Sequence, residues 1–389
     1  MTSPPSHAGA WGQPQGEGAT YPLLDGLRGM AALLVLASHA RHFGLEDYAS
    51  QASAGLIATL FYGATALGHQ AVIIFFVLSG FLISGSVSRS VAAGRWQWRD
   101  YLSRRLARLW TVLLPCLALT AAVDLAAIHL TASRFYDGDL TFYSSGPGPS
   151  GAVHDPATFV ANVLFLQGLV SPVFGSNGPL WSLANEFWYY LLFAALFRVA
   201  PARWRTVVLL TSALAAYSIG FLLDERLLYL WPAWLVGYGV LRLLPTVTRW
   251  RAAAPRLTTF GGLTIAAGLA VPAALLAGNP PLADLTLALA VAFVVLLLAT
   301  IRSAPSPLRL LADGLARISY SLYLSHFPVL AMLSAVVLGN QRLPFGWQGV
   351  ATFGLFVAVG LSVAVFLYWA FERHTARVRY ALARLLHVR

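Results

Sequence analysis

An arginine and a histidine lie eleven residues apart in the first apolar stretch of the chain, LLDGLRGMAALLVLASH. On an α-helix the offset from Arg28 to His39 returns to within about 20° of the same face, while the axis rises roughly 16 Å. One face would then carry a guanidinium near a membrane surface and an imidazole deeper in the bilayer. This spacing suits a ligand with an anionic end and a long flexible arm. A topology-anchoring arginine and a packing histidine would fit it as well.

A carboxylate lies in the first two turns of another apolar stretch, GPLWSLANEFWYYLLF. Glu186 and Ser182 are four residues apart and therefore share a helix face. Glu186 could orient or charge-stabilise an imidazole such as His39, accept hydrogen bonds from a sugar, or pair with a structural arginine. Ser182 and its neighbour Asn185 are candidate substrate contacts.

Three arginines open a third apolar stretch in the segment RRLARLW. Arg104, Arg105 and Arg108 form a cluster of the kind that binds phosphates through bidentate hydrogen bonds. The same cluster would also serve topology control or the binding of lipid headgroups.

Hydroxyl side chains are dense in a fourth segment, ISYSLYLSHFPV. Hydrogen bonds between helices explain its serines and tyrosines as well as a substrate path does. Tyr323 and His326 are therefore candidates for either packing or substrate contact. Near the end of the chain, we expect Glu372 and Arg373 to form a structural pair at a helix terminus.

The composition excludes several kinds of chemistry. All 26 basic residues are arginine, so lysine Schiff-base chemistry is not available. The single cysteine, Cys116, has no disulfide partner, and no Cys/His cluster suggests a metal site. The net charge of +11 is spread over short segments between apolar runs, which argues against nucleic-acid binding.

Apolar runs dominate the chain and predict an all-α, polytopic membrane helix bundle. Of the 389 residues, 58% are hydrophobic and 11% are charged, and many runs approach the roughly 20 residues that span a bilayer. A shorter run at 157–171 is more consistent with a re-entrant or interfacial segment. Ten transmembrane helices are predicted, at about 22–42, 69–88, 106–130, 180–200, 206–223, 227–244, 257–277, 283–301, 315–338 and 347–371.

The distribution of arginine predicts the topology. Arginines crowd five segments, which the positive-inside rule places in the cytoplasm together with both chain termini. The domains expected are a disordered cytoplasmic tail at 1–20, a transmembrane domain at 21–373 and a basic cytoplasmic tail at 374–389. No internal repeat is visible, which argues against a carrier built from symmetric halves. The five arginine-rich segments are 89–108, 198–205, 242–256, 302–317 and 373–389.

Six segments, in this order along residues 22–373, resemble the acyltransferase 3 family of multi-pass membrane O-acyltransferases. LLDGLRGMAALLVLASH is similar to the family's Arg-x10-His helix, VIIFFVLSGFLIS to its second-span signature, and RRLARLW to its Arg-x-x-Arg element through Arg105 and Arg108. LWSLANEFWYYLLF is similar to the Trp-Ser-Leu-x-x-Glu block, SYSLYLSHFPV to the Tyr-Ser-x-Tyr-Leu-x-His block, and FER to the terminal Phe-Glu-Arg element. Each motif alone identifies the family with low specificity, but the six motifs in this order identify it with high specificity.

The resemblance implies a membrane enzyme that takes an acyl group, with acetyl expected, from acyl-CoA on the cytoplasmic side of the cell membrane. It assigns Arg28 and His39 to the active site, places Arg105 and Arg108 near the donor, and maps Glu186 onto the first acidic position of the Trp-Ser-Leu-x-x-Glu block. We expect no metal. Asn185 and Phe187 flank Glu186 where many members have valine and a second acid, which puts a second carboxylate in doubt. His374 also replaces a common proline.

The acceptor implied is a hydroxyl of a cell-envelope glycan or lipid-linked sugar, or of a macrolide-like glycosylated small molecule. His39 would deprotonate that hydroxyl with help from Glu186, or would first carry the acyl group itself. A transporter of polar solutes and a non-catalytic scaffold are the rival interpretations. The acyl chain, the acceptor hydroxyl and the oligomeric state are left open.

Overall fold

The computed structural model describes residues 21–51, 55–140, 145–301 and 306–386, apart from the side chain at position 308. The predicted tail at 1–20, residues 302–305 of one arginine-rich segment and residues 387–389 of the last one lie outside this part of the chain. Across the described residues the regular structure is helical, and β-pairing is confined to isolated bridges. The α-helices are α1 Pro22–Gly44, α2 Leu56–Thr65, α3 Gly68–Ala92, α4 Trp98–Leu130, α5 Pro156–Val163, α6 Leu180–Val199, α7 Arg205–Leu223, α8 Arg226–Tyr229, α9 Trp231–Ala253, α10 Pro255–Leu275, α11 Pro280–Ala299, α12 Ser306–Leu338, α13 Trp347–Ala370 and α14 Thr375–Leu385.

Within the described ranges, nine helical stretches are long and apolar enough to cross a membrane. They lie in α1, α2 with α3, α4, α7, α8 with α9, α10, α11, α12, and α13 with α14. The remaining predicted span, 180–200, forms the 20-residue helix α6. A helix of this length extends about 30 Å, enough to cross the apolar core of a bilayer. The polar residues in its first turns lower its mean hydropathy. The prediction of a polytopic helical bundle is confirmed.

The short apolar run at 157–171 does not form a transmembrane helix. Its helix, α5, has eight residues and is therefore only about 12 Å long. The Asp155 side chain caps its first turn by accepting hydrogen bonds from the backbone N–H groups of Ala157 and Thr158. Asn162 then ties the end of α5 to the following loop through the Pro172 carbonyl and the Phe174 N–H.

Helix α1 lies parallel to α12 and packs closely against it. Near the start of α1, Arg28 donates to Ser319, and near its end the Phe43 carbonyl accepts from Ser334. Gly29 permits the close approach, since a Cβ at this position would lie 2.5 Å from the Leu315 Cβ. Small residues at such a contact let two helix backbones approach within a membrane. The pair α1 and α12 therefore forms the frame that positions Arg28 and His39.

Helices α3 and α9 cross where Gly80 of α3 lies against Gly237 of α9. A Cβ on Gly80 would lie 1.9 Å from the Trp234 carbonyl oxygen, so Gly80→Ala should force the helices apart. Overpacking of this kind costs about 1–3 kcal/mol, and we expect a lower melting temperature in detergent. Gly239→Ala on α9 is the control, because nothing lies within 4 Å of a Cβ there. Equal melting temperatures for the two variants would contradict this packing.

Candidate active site

The candidate site runs along α1, α3, α4, α6 and α12 between the two ends of the bundle. We call the end that contains Arg28, Arg105 and Arg108 the arginine end, and the end at which α1 finishes and α6 begins the far end. His39 lies eleven residues after Arg28 on the same continuous helix, roughly 16 Å nearer the far end.

His39 is partly exposed and lies among rings of α12. Its ring centroid is 5.2 Å from that of His326 and 5.0 Å from that of Phe327, which it meets edge to face. No hydrogen bond holds the His39 ring among the residues described. An imidazole in this setting keeps a nitrogen available for proton transfer.

His326 and Tyr323 connect α12 to α6 beside His39. The phenol of Tyr323 lies 2.6 Å from Ser182 Oγ, and its ring centroid is 5.9 Å from that of His326. His326 is fully buried, and its Nδ1 lies 3.0 Å from the Leu322 carbonyl oxygen. The structure therefore brings together the three predicted residues Ser182, Tyr323 and His326 with His39.

Glu186 lies one turn along α6 from Ser182, but its hydrogen bonds lead elsewhere. Its Oε1 accepts from Ser79 Oγ at 2.8 Å and from the Tyr190 hydroxyl. The indole N–H of Trp234 donates to Ser79 Oγ at 3.2 Å and completes this cluster. None of the hydrogen bonds of Glu186 reaches His39, so its predicted help to the imidazole would act through its charge.

Asn185 is buried beside Glu186, with 7% of its surface exposed. Its side-chain Nδ2 has no hydrogen-bond partner among the described residues. A buried amide donor without a partner is costly unless a ligand or water pairs with it. Its role in substrate binding stays a prediction.

Arg28 is held firmly against α12 and is 3% exposed. Its guanidinium lies 3.1 Å from an oxygen of Asp25 and donates to Ser319 Oγ and the Ala316 carbonyl oxygen, both at 3.2 Å. Arg108 lies close enough to interact with it electrostatically. Arg28 is therefore a preorganised positive charge at the arginine end.

Arg108 forms a buried salt bridge that the sequence did not predict. Its Nη1 lies 2.7 Å from Oε1 of Glu372, whose other oxygen accepts from both the backbone N–H and the hydroxyl of Ser321. The expected pair of Glu372 with Arg373 is wrong. Arg373 instead lies 4.7 Å from the Trp369 ring and donates to His374. Glu372 is the first residue of the short 3-10 helix Glu372–His374 that follows α13, and it is 5% exposed.

Arg105 and Arg104 point to different neighbours. Arg105 donates to Ser86 Oγ at 3.2 Å and lies over the rings of Tyr101 and Tyr190. Arg108 and Arg105 both lie close enough to Glu186 to interact with it electrostatically.

Arg104 pairs with Asp100, a carboxylate that also lies 3.8 Å from Arg379 of α14. Of the three clustered arginines, the structure therefore brings Arg105 and Arg108 to the candidate site. Arg104 lies on the side that faces α14.

Two polar clusters at the far end have no counterpart among the sequence predictions. Asp124 is fully buried and accepts from the backbone N–H and hydroxyl of Ser176, both at 2.7 Å, and from His154 at 2.9 Å. Asp284 is 3% exposed and lies 2.6 Å from His69. The sequence signal that could have indicated these clusters is an ionisable residue within an apolar run. Such a residue has a high free-energy cost in a membrane unless it is paired.

The Asp124 cluster holds a loop over the far end of the bundle. Next to Ser176, the Asn177 amide donates to the Leu324 carbonyl oxygen at 2.9 Å and thereby fixes the loop beside Tyr323. Burial raises the pKa of the nearby Tyr136 phenol, and the Asp124 carboxylate raises it further. In the described part of the chain, no three His, Cys, Asp or Glu side chains are grouped as a metal site would require.

Comparison with known proteins adds the following findings. A family model described as an acyltransferase domain matches residues 21–369. The chain is similar to an O-acetyl transferase of Shigella phage Sf6, with 29% identity over 175 residues, which cover 43% of each chain. It is also similar to Protein 2 in picA locus of Rhizobium radiobacter, with 30% identity over 201 residues, covering 50% of this chain and 91% of that protein.

A third relative is Acyltransferase MdmB of Streptomyces mycarofaciens, with 30% identity over 181 residues, covering 46% of this chain and 39% of that protein. The match therefore spans less than half of the phage protein and of MdmB. No solved structure shows a significant similarity to the chain.

Proposed function

Because the chain belongs to the acyltransferase family whose model covers residues 21–369, we propose that it is a membrane O-acyltransferase. The donor is acyl-CoA, with acetyl-CoA as the first candidate. The acceptor is a hydroxyl of a sugar-containing molecule, such as a cell-envelope glycan, a lipid-linked sugar or a macrolide-like glycosylated compound. The arginine end faces the cytoplasm of the cell, because arginine-rich segments remain on that side of a cell membrane.

The observation that carries this proposal is the series of polar and aromatic side chains that lie between the arginine end and His39. It begins at Arg105, which lies over Tyr190, and Tyr190 donates to Glu186. One turn from Glu186 is Ser182, whose partner Tyr323 lies beside His326 and, through it, beside His39. Such a series within a bundle has the length and polarity that a phosphate-bearing donor with a long arm needs.

Arg105 is the arginine best placed to bind the donor phosphates. Arg28 and Arg108 already contact the carboxylates of Asp25 and Glu372, whereas the hydrogen bond of Arg105 is to the neutral hydroxyl of Ser86. A guanidinium that is not neutralised by a carboxylate contact retains its attraction for phosphate. Arg28 and Arg108 add positive charge to the same region.

The reaction is a proton transfer coupled to acyl transfer at His39. The imidazole takes the proton of the acceptor hydroxyl while the hydroxyl oxygen bonds to the thioester carbonyl carbon. The tetrahedral intermediate then expels the thiolate of coenzyme A, which recovers the proton from the imidazolium. In the alternative route His39 itself carries the acyl group before the hydroxyl attacks. The negative charge of Glu186 favours the imidazolium in either route.

The remaining polar residues of the site are assigned to the acceptor. Ser182 and Tyr323 supply hydroxyls, and the Nδ2 of Asn185 has no partner among the described residues. A sugar-containing acceptor offers several hydroxyls that both donate and accept hydrogen bonds. His326 lies behind these residues, against His39.

Replacing Arg105 tests the donor part of the proposal. Loss of a charge-assisted hydrogen bond of about 1.5–3 kcal/mol should raise the KM for acetyl-CoA about tenfold or more in Arg105→Ala. Arg104→Ala is the matched control, because Arg104 pairs with Asp100 on the side of α14. The measurement is transfer of radiolabel from acetyl-CoA by purified protein in nanodiscs. Equal KM values for the two variants would contradict the assignment of Arg105.

A further inference from the structure

A histidine that acts as a base needs a second group that fixes its orientation and the nitrogen that carries its proton. In histidine-based acyl transfer that group is usually a carboxylate that accepts a hydrogen bond from the second ring nitrogen. Here the available carboxylate, Glu186, accepts from Ser79 and Tyr190 instead. The ring that does lie against His39 is that of His326.

The contact of His326 with its own helix determines its tautomer. Its Nδ1 lies 3.0 Å from the Leu322 carbonyl oxygen. A carbonyl oxygen only accepts hydrogen bonds, so the proton of the neutral ring must be on Nδ1. Nε2 then carries a lone pair and is a hydrogen-bond acceptor.

This acceptor is buried without a partner. His326 is 0% exposed, and its Nε2 makes no hydrogen bond to any described residue. The hydroxyl of the adjacent Tyr323 is engaged with Ser182, and the neighbouring Phe327 has no polar group. A buried acceptor of this kind costs free energy unless a donor pairs with it, and His39 is the nearby side chain with a ring N–H.

The separation of the two rings is suitable for a direct hydrogen bond. A ring nitrogen lies about 1.1 Å from the centre of an imidazole, so centroids 5.2 Å apart allow two facing nitrogens to approach to about 3 Å, the length of a normal hydrogen bond. The rings are tilted by 35°, so the pairing requires the His39 ring to turn until one of its nitrogens faces Nε2 of His326.

We propose that His326 is the positioning residue for His39, with its Nε2 accepting a hydrogen bond from a ring N–H of His39. That bond directs the other nitrogen of His39, with its lone pair, toward the acceptor hydroxyl. This inference rests on the proposed function, because it assigns the group that prepares the catalytic base. A neutral imidazole does this without burying a further charge at this depth of the membrane.

Two substitutions distinguish the roles of the two ring nitrogens of His326. Glutamine places an amide oxygen near the position of Nε2, whereas asparagine reaches only as far as Nδ1 and supplies no acceptor toward His39. We expect His326→Asn to lower kcat about 10²-fold, the effect of a misplaced catalytic group, with an unchanged KM for acetyl-CoA. His326→Gln should retain kcat within about tenfold of the wild type. Transfer is measured from radiolabelled acetyl-CoA to octyl glucoside as a hydroxyl-bearing probe.

Nitrogen NMR of the protein labelled with ¹⁵N-histidine gives a readout that does not depend on turnover. The wild-type signal that disappears in His326→Asn belongs to His326, and it should be that of a ring protonated on Nδ1. The wild-type signal that disappears in His39→Ala belongs to His39, and it should show one tautomer. In His326→Asn the His39 signal should become a mixture of tautomers.

Three results would decide against the inference or against the function on which it rests. Protonation of His326 on Nε2 in wild type would overturn the inference, and if His326→Asn fails to fold, the signal lost in His326→Gln identifies His326. An unchanged kcat together with an unchanged His39 tautomer in His326→Asn would also overturn it. If wild type moves no label to octyl glucoside or to any other hydroxyl-bearing acceptor and does not bind acyl-CoA, while its tautomers are as expected, the proposed function fails and the pairing of the rings stands.

Discussion

His39→Ala should lower kcat for acyl transfer by about 10²–10⁴-fold, the usual contribution of a general acid–base group. The protein should remain folded, because His39 is partly exposed and forms no salt bridge among the described residues. Both the direct route and the acyl-imidazole route pass through this ring, so both lose activity. The measurement is radiolabel transfer per mole of folded protein in nanodiscs.

His129→Ala is the matched control for this prediction. His129 lies exposed in the last turn of α4 and takes no part in the candidate site. We expect its variant to transfer label at the wild-type rate. Full activity of His39→Ala would exclude both routes at once.

Glu372→Ala should destabilise the protein by about 3–5 kcal/mol, the cost of breaking a buried ion pair from one side. Glu372 is 5% exposed and accepts hydrogen bonds from Arg108 at 2.7 Å and from the N–H and hydroxyl of Ser321. Its removal takes away the counter-charge of Arg108 and leaves the Ser321 backbone N–H without this acceptor. Contacts among α4, α12 and the end of α13 are weakened together.

The single cysteine of the chain makes this loss measurable. Cys116 is fully buried, so a thiol-specific dye reports its exposure on thermal unfolding. Asp139→Ala is the control, because the Asp139 pair with Arg134 is exposed and such pairs contribute about 0–1 kcal/mol. A melting temperature of Glu372→Ala as high as that of the control would contradict the structural role of the buried pair.

The pair of Glu372 with Arg108 explains why Arg105 and Arg108 should respond differently to substitution. Both belong to one Arg-x-x-Arg element, yet Arg108 contacts a buried carboxylate and Arg105 a neutral hydroxyl. Arg108→Ala should therefore lower stability, whereas Arg105→Ala should weaken donor binding. Replacing Arg108 and Glu372 together by methionine should restore much of the stability, because two apolar side chains leave no buried charge without its partner.

Hydropathy predicted most of the fold because a bilayer requires long apolar helices that satisfy their own backbone hydrogen bonds. It could not predict that α4 begins at Trp98 and α12 at Ser306, eight and nine residues before the predicted spans. These turns lie outside the apolar core and are polar, so hydropathy assigns them no membrane-spanning structure. The short helices α2 and α14 were missed because neither is long enough to span a bilayer by itself.

Helix periodicity placed Arg28 and His39 correctly on one helix, because their relation depends only on the geometry of α1. Partners across the fold could not be obtained in that way. Glu372 contacts Arg108, which is 264 positions away, and His39 lies against His326 on another helix. Such pairs depend on the packing of α1, α4 and α12, which one sequence does not specify.

The most direct test of the proposed activity is acyl transfer by the purified protein in nanodiscs. Radiolabelled acetyl-CoA is incubated with a panel of sugars, lipid-linked glycans and glycosylated small molecules, using wild type and His39→Ala in parallel. We predict that wild type alone moves label to a hydroxyl of one acceptor class. If no label moves with any acyl chain length, and acyl-CoA does not bind, the acyltransferase account is contradicted and a carrier of polar solutes becomes the hypothesis to test.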